Sequence, residues 1–434
     1  MNILLKICFL LLFGASLAVA DSAPLATDVA NAMPAAESLY LDLHQNPELS
    51  LHETRTAAKL ADRLRSLGYV VTTGVGGTGI VAILKNGDGP VIMLRTELDA
   101  LPIEEQTGLP YASKVRTKND AGLDVPVMHA CGHDLHMAAL AGTAAVMAEN
   151  RQRWHGTLML IGQPAEEVVK GAEAMLDDGL FTRFPKPEYA IAVHDNDSLP
   201  AGTVGFTPGY SMTNADSVDV VFYGRGAHGS RPQLAIDPIV MASRAVLGWQ
   251  TIVSREVTPG EHAVITVGLF QAGTKGNIIP DQAHLVLTVR TYKPEVRKQV
   301  LAAIERVAKA EALAANAPRE PSVKVVESTP ALYNDPGLTN RLAKALSAGL
   351  GAGNVKQLPP DFPSEDFSRY VEAGVKSVQL AVGAQDPEKL AEAEKSGEHL
   401  PGLHTARFAP DLKPALQTAI ETEVISLLDL MGAK

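Results

Sequence analysis

What this 434-residue chain has little of narrows its class. It has no basic excess: 38 Lys+Arg stand against 49 Asp+Glu, a net charge of −11, which argues against a nucleic-acid partner. Past the N-terminus, no apolar run is long enough to span a bilayer. Cysteine is nearly absent, with only Cys8 and Cys131. Gly (36) and Pro (28) are frequent but follow no period, so collagen-like and low-complexity readings fall away. There is no internal repeat, no G-x-S-x-G elbow and no P-loop. What remains is a composition of 46% hydrophobic and 20% charged residues, ordinary for a globular protein. The length suggests two or three domains, at about 100–200 residues each.

The N-terminus reads as a secretory leader over residues 1–20. Lys6 supplies the charge, Ile7–Phe13 the apolar core, and Ala18-Val19-Ala20 a small-x-small cleavage site. An uncleaved anchor is the alternative, and the short apolar run disfavours it. The mature chain is expected to be exported, periplasmic or secreted, with no membrane contact after cleavage. Cleavage removes Cys8 and leaves Cys131 as a lone thiol, either buried and inert or put to use.

Hydrophobic periodicity predicts an α/β protein. Glu53–Leu67, His133–Asn150, Gly337–Leu350 and Asp411–Met431 read as helices. Tyr69–Thr73, Ile80–Leu84, Val91–Arg95, Leu158–Gly162, Tyr189–Val193 and Val375–Val382 read as strands. Gln385–Gly397 is polar and reads as an exposed loop or a short helix. Between them lies a second rhythm: strand Ser217–Tyr223, a helix opened by Asp237-Pro238, strands Ala263–Phe270 and His284–Thr291, helix Pro294–Ala315 and strand Ser322–Val326. This β-α-β-β-α-β order is ferredoxin-like. It predicts an inserted domain at 206–326, within a first domain formed by 21–205 and 327–434. Gly74–Gly79 matches G-x-G-x-x-G, but a strand follows where the dinucleotide fingerprint needs a helix, so a glycine-rich hairpin is the better reading.

The chemistry concentrates in Met128–His136, which holds His129, Cys131, His133, Asp134 and His136. Thiolate and imidazole are good ligands for borderline transition metals, and a glycine between Cys131 and His133 lets both face one centre. The three histidines compete for the ligand role; a His-rich helix start is the plain alternative. Glu166 and Glu167 follow a predicted strand. One can bind metal while the other moves a proton, although adjacent surface charges are commoner. His194 ends a strand, His404 lies before the last helix, and Asp99 stands where a buried carboxylate can orient a histidine ligand.

These segments resemble the M20 metallopeptidase family, in its amidohydrolase branch of N-acyl-amino-acid, hippurate and auxin-conjugate hydrolases. The resemblance rests on residues 98–113, 128–140, 163–167, the His194 segment, 226–232, 276–283, 363–370 and 402–408. It implies a two-metal catalytic domain with a mixed sheet flanked by helices, plus an inserted ferredoxin-like lid. It implies Cys131, His133, Glu167, His194 and His404 as metal ligands and Glu166 as general base. Asp99 resembles the family's orienting aspartate. His228 resembles the lid histidine that polarises the scissile carbonyl or binds the substrate carboxylate, and Asn277 the lid asparagine that holds substrate. Arg290 and Asp366 also fall in family motifs, without an assigned role. Departures flank these positions: Glu97 stands where the branch usually has Asp, and His404 precedes Thr-Ala-Arg-Phe where Ser-Pro-x-Phe is usual. The implied cofactors are two divalent ions (Zn, Mn, Ni or Co), the substrate a small N-acyl amino acid, and the lid a surface for a homodimer. A dipeptidase or carboxypeptidase on the same scaffold competes with this reading. More distantly, so does a non-catalytic binding protein.

Overall fold

The computed structural model describes residues 22–432, so the leader reading and Cys8 lie outside the described residues. Eight strands form one mixed sheet in the order 70–75, 79–86, 156–163, 91–97, 189–200, 376–385, 204–206, 355–357. Its four central strands, Gly156–Gln163, Val91–Glu97, Tyr189–Pro200 and Lys376–Gln385, run parallel. Their near-continuous burial is the pattern of a sheet covered on both faces. Parallel strands send their C-terminal ends to one edge, and the polar residues at 97–99, 163–167 and 194–195 emerge there.

One face is covered by the helices Ser22–Gln45, His133–Glu149 and Leu412–Met431. The middle helix is buried on every side from His133 to Met147. Its small residues make that close packing feasible; a Cβ on Gly142 would press 2.5 Å from the Ile420 side chain. The helix Ser22–Gln45 is absent from the sequence reading. Pro34 lies inside it, yet Val29, Ala32, Ala36, Tyr40 and Leu43 are buried at helical spacing. Elsewhere the structure extends expectations. Tyr189 continues as strand to Pro200 by pairing along Lys376–Gln385. The polar stretch after Gln385 forms a helix, Pro387–Ser396, capped by Asp386. Gly74–Gly79 forms the turn of a β-hairpin.

A separate four-stranded antiparallel sheet has the order 263–272, 282–291, 215–223, 322–329. It carries the helices Pro238–Arg255 and Pro294–Ala314 on one face, completing β-α-β-β-α-β. Along Ala215–Tyr223, burial alternates residue by residue, as a one-sided sheet requires. Asp237 accepts from the Ile239 amide at 2.9 Å, and Pro238 occupies the first helical turn, which sets the helix start. The indole N–H of buried Trp249 donates to the Ile304 carbonyl at 3.1 Å and ties the two helices together. The chain enters and leaves this unit through Gly209–Met212 and Leu332–Asn334, which pair antiparallel as a two-stranded ribbon. Among the described residues, no helix is long and apolar enough to cross a membrane.

Candidate metal centre

The C-terminal edge of the parallel strands gathers seven of the nine residues singled out in the sequence: Asp99, Cys131, His133, Glu166, Glu167, His194 and His404. Cys131 and His133 sit on the tight turn that starts the buried helix. Gly132 between them has φ +74°, and a Cβ there would lie 2.7 Å from the Asp195 Cγ. Glycine is needed for both reasons. Glu166 and Glu167 stand on a strained turn, with φ of +52° at Ala165 and +51° at Val169. Buried Glu53 pins that turn: its carboxylate accepts from the Ala165 amide at 2.8 Å and from Thr78 Oγ1 at 2.6 Å. His404 also has positive φ, +61°, and its amide donates to the Ala130 carbonyl at 2.8 Å, so it leans over the site from the rim.

The ring nitrogens are assigned by their partners. His133 Nδ1 donates to the Asp99 carbonyl at 2.8 Å, with Asp99 Oδ1 at 3.5 Å. Its Nε2 then faces Glu166 Oε2 and Glu167 Oε1, each at 3.9 Å. His194 Nδ1 donates to the Asp195 carbonyl at 2.8 Å, leaving Nε2 3.6 Å from Cys131 Sγ. His404 Nε2 lies 3.1 Å from the same sulfur and 3.5 Å from Glu167 Oε2. Among the donor groups that result, two are Cys131–His133–His194 and Cys131–Glu167–His404, each with ligand atoms within 4.8 Å of one another. They share the sulfur. His133 Nε2 and Glu167 Oε1 are buried and make no hydrogen bond. Buried acceptors left free at one point, with a thiol among them, fit divalent transition metal ions.

Asp99 fixes its neighbourhood through more than His133. Its Oδ2 accepts from Ser50 Oγ at 2.6 Å and from the Glu167 amide at 3.0 Å. Burial pushes the Cys131 thiol well above its usual value, helped by Glu167. Burial likewise raises Glu166, with Glu365 and Glu167 adding to it, and lifts Glu167 to about 7. Burial works against charge on His133, but Asp99 and Cys131 outweigh it and raise that ring. Without cations, this cluster holds its protons; bound cations displace them.

Of the three histidines, His133 stands in a sulfur-sharing donor group and His129 in neither, its two buried ring nitrogens making no hydrogen bond. His136 has both nitrogens engaged, by Glu97 Oε2 at 2.9 Å and by the Asp195 amide at 2.9 Å. His129 is buried, and burial pushes its imidazole down to about 4. Behind the centre, fully buried Arg95 donates to Glu97, to Glu365 at 2.7 Å, to Asp366 at 3.1 Å and to Gln163 at 3.0 Å. Sequence reasoning missed this hub, because its members are up to 271 positions apart.

Cys131, Glu166, Glu167, His194 and His404 line a cleft of about 480 Å³. Arg290 reaches its wall from the lid strand Gln282–Thr291, half-buried, with Nη1 unpartnered. His228 and Asn277 are brought together elsewhere. They stand on an exposed ribbon of the lid where Ala227–His228 pairs with Ile278–Ile279, and neither lines the cleft. His228 Nδ1 accepts from the Ser230 amide at 3.1 Å, so its Nε2 carries the proton and is free to donate.

A profile of the peptidase family M20/M25/M40 matches residues 93–402. The chain is 38% identical over 335 residues to an N-acetylcysteine deacetylase of Bacillus subtilis, covering 76% of this chain and 83% of the relative. It is 40% identical over 277 residues to a hippurate hydrolase of Campylobacter jejuni, covering 63% and 68%. The crystal structure of a dinuclear metal-binding M20 peptidase from Bacillus subtilis superposes with a TM-score of 0.75 at 30% identity, covering 94% of this chain and 99% of that one. With this shared sheet-and-lid architecture and the donor set at the strand ends, the chain belongs to the M20/M25/M40 peptidase family and is a hydrolase of amide or peptide bonds.

Proposed function

We propose that the protein is an exported amidohydrolase that cleaves N-acyl amino acids, aryl-acyl ones included, into a carboxylic acid and a free amino acid. The observation that carries this is the pair of donor groups sharing the Cys131 sulfur, with Glu166 beside them in one cleft. Cys131, His133, Glu167, His194 and His404 would hold two divalent ions. Such ions, when bound, polarise an amide carbonyl and make a water acidic near neutral pH.

The chain's residues supply the rest. Glu166 lines the cleft with its Oε2 3.9 Å from His133 Nε2, and neither sulfur-sharing set requires it. It takes a proton from the attacking water and passes it to the leaving nitrogen, general acid–base work worth about 10²–10⁴-fold. Asp99 holds the His133 ring and the Glu167 backbone in place. Arg290 is an unpaired guanidinium in a cleft otherwise rich in carboxylates, suited to the substrate's free carboxylate. His228 offers its Nε2 proton to the scissile carbonyl, and Asn277 beside it holds substrate; both require the lid to swing on the 209–212/332–334 ribbon or a partner copy to present them. The exposed Ile239, Val240 and Leu247 on the lid helix suit a homodimer contact.

A second cavity of about 310 Å³ adjoins the cleft and shares His194, Asn196 and Met212 with it. Phe206, Leu358 and Pro360 supply apolar wall beside the carboxylates of Asp195 and Asp361, and no Lys or Arg lines it. The cavity has room for an aryl-acyl group such as benzoyl as well as for an acetyl group. The relatives' substrates, N-acetylcysteine and hippurate by name, fall in this class. Comparing N-acetyl and N-benzoyl amino acids with dipeptides tests the reading. Turnover of acyl amino acids well above dipeptides supports it, and the reverse order makes the protein a peptidase.

A further inference from the structure

Beneath the donor groups runs a buried chain of contacts that no ligand role accounts for. Asp195 touches the centre on two sides. Its carbonyl accepts from the ligand His194 at 2.8 Å, and its carboxylate packs against Gly132, between ligands Cys131 and His133. Asp195 is in turn held by His136, whose Nε2 accepts the Asp195 amide N–H at 2.9 Å. Its Nδ1 donates to Glu97 Oε2 at 2.9 Å, and its Nε2 also lies 3.2 Å from Asp195 Oδ1. The other Glu97 oxygen meets Arg95. Glu97 is 0% exposed, Arg95 1%, His136 2% and Asp195 3%. Neither Glu97 nor His136 lines the cleft.

We infer that Glu97 and His136 are positioning residues: they anchor Asp195, and through it the aim of His194 and of the Cys131–Gly132–His133 turn at the metal ions. The inference rests on the two-metal reading above. Glu97 uses both oxygens at once, one on each neighbour, so its length matters as well as its charge. Shortening it by one methylene, about 1.5 Å of reach, forces it to give up Arg95 or His136. A group that orients a ligand in this way is typically worth 10–100-fold in metal affinity. Glutamine at 136 retains the pattern the site uses, an acceptor for the Asp195 N–H and a donor for Glu97. Alanine keeps neither.

The test is Co²⁺ titration of the full chain, wild type against E97D, H136A and H136Q, followed by calorimetry and by the charge-transfer band of the Cys131 thiolate. Urea unfolding of each metal-free form checks that the fold survives. The expected result is two ions at saturation in every variant, with at least one of them bound 10–100-fold more weakly in E97D and H136A and the band displaced. H136Q should fall closer to wild type than H136A. Wild-type affinity and spectrum in both E97D and H136A would overturn the inference. So would loss of one ion in both H136A and H136Q, which would make His136 a ligand. If the wild-type protein itself fails to take up two ions, the metal reading fails, and that outcome is distinct from the others.

Discussion

Replacing Gly132 by alanine tests how the metal-ligand turn is built. The position demands a left-handed backbone, φ +74°, which costs a residue with a Cβ about 1–2 kcal/mol. It also demands space. The new Cβ would sit 2.7 Å from the Asp195 Cγ and closer still to its Oδ2, so the carboxylate must retreat by about 1 Å to reach ordinary contact near 3.5 Å. The carboxylate cannot retreat freely, because His136 Nε2 and His194 Nδ1 both lie 3.2 Å from its Oδ1. Losing one of those buried bonds adds about 1–3 kcal/mol. The sum is a destabilisation of roughly 2–5 kcal/mol. Gly397, with φ +75° and open space around its Cα, isolates the backbone part: alanine there should cost only about 1–2 kcal/mol. The assay is urea unfolding of metal-free protein in a Trp249→Phe background, which leaves Trp154, buried in the core beside the large sheet, as the sole tryptophan. A Co²⁺ affinity measurement on the same variants completes it. If Gly132→Ala unfolds like Gly397→Ala and binds metal like wild type, the account of Asp195 as the floor of this turn is wrong.

Three further outcomes are expected. Glu166→Gln should retain metal and lose about 10²–10⁴-fold or more in kcat, checked by metal analysis beside steady-state rates; near-wild-type turnover would remove Glu166 as the base. Metal affinity should rise with pH through neutrality, because burial holds protons on Cys131 and on Glu167, the latter up to about 7, and binding must expel them. Calorimetry in buffers of differing ionisation enthalpy reads that proton release directly, and its absence would contradict the protonated metal-free cluster. His44, bonded to Asp134 at 2.7 Å and Glu105 at 3.2 Å, is raised to about 10, the two carboxylates outweighing burial. Its folded value lies above the ordinary histidine value of about 6.5, so its contribution to stability is complete below about pH 6.5 and fades as pH rises towards 10. The stability gap between wild type and His44→Gln should narrow over that window; a gap that widens would refute the assignment.

The local part of the centre was legible because ligand chemistry is compressed into one short segment. Cys131 and His133 flank a glycine, and the strand-end positions of Glu166, Glu167 and His194 follow from apolar runs that stop abruptly. The lid was legible because one-sided strands and helices alternate cleanly there. The helix Ser22–Gln45 was not, because Pro34 and many alanines blur a periodicity that burial at Val29, Ala32, Ala36, Tyr40 and Leu43 makes plain. The Arg95 hub and the pairs that hold His44 were also out of reach. An isolated Arg or His in a sequence carries no mark of a partner 61 to 271 positions away. For the same reason His136 looked as good a ligand as His133 until both its nitrogens were seen to be taken.

The central claim is that Cys131, His133, Glu167, His194 and His404 would hold a pair of divalent ions required for amide hydrolysis. Its most direct test is to strip the protein with chelator, titrate back single divalent metals, and count ions bound while following cleavage of N-benzoyl and N-acetyl amino acids, with Cys131→Ala in parallel. The account predicts two ions per chain, activity that returns only as they load, and weakened binding of both ions in Cys131→Ala. Cleavage that survives chelation, or a Cys131→Ala protein that still takes up two ions with wild-type affinity, would contradict it.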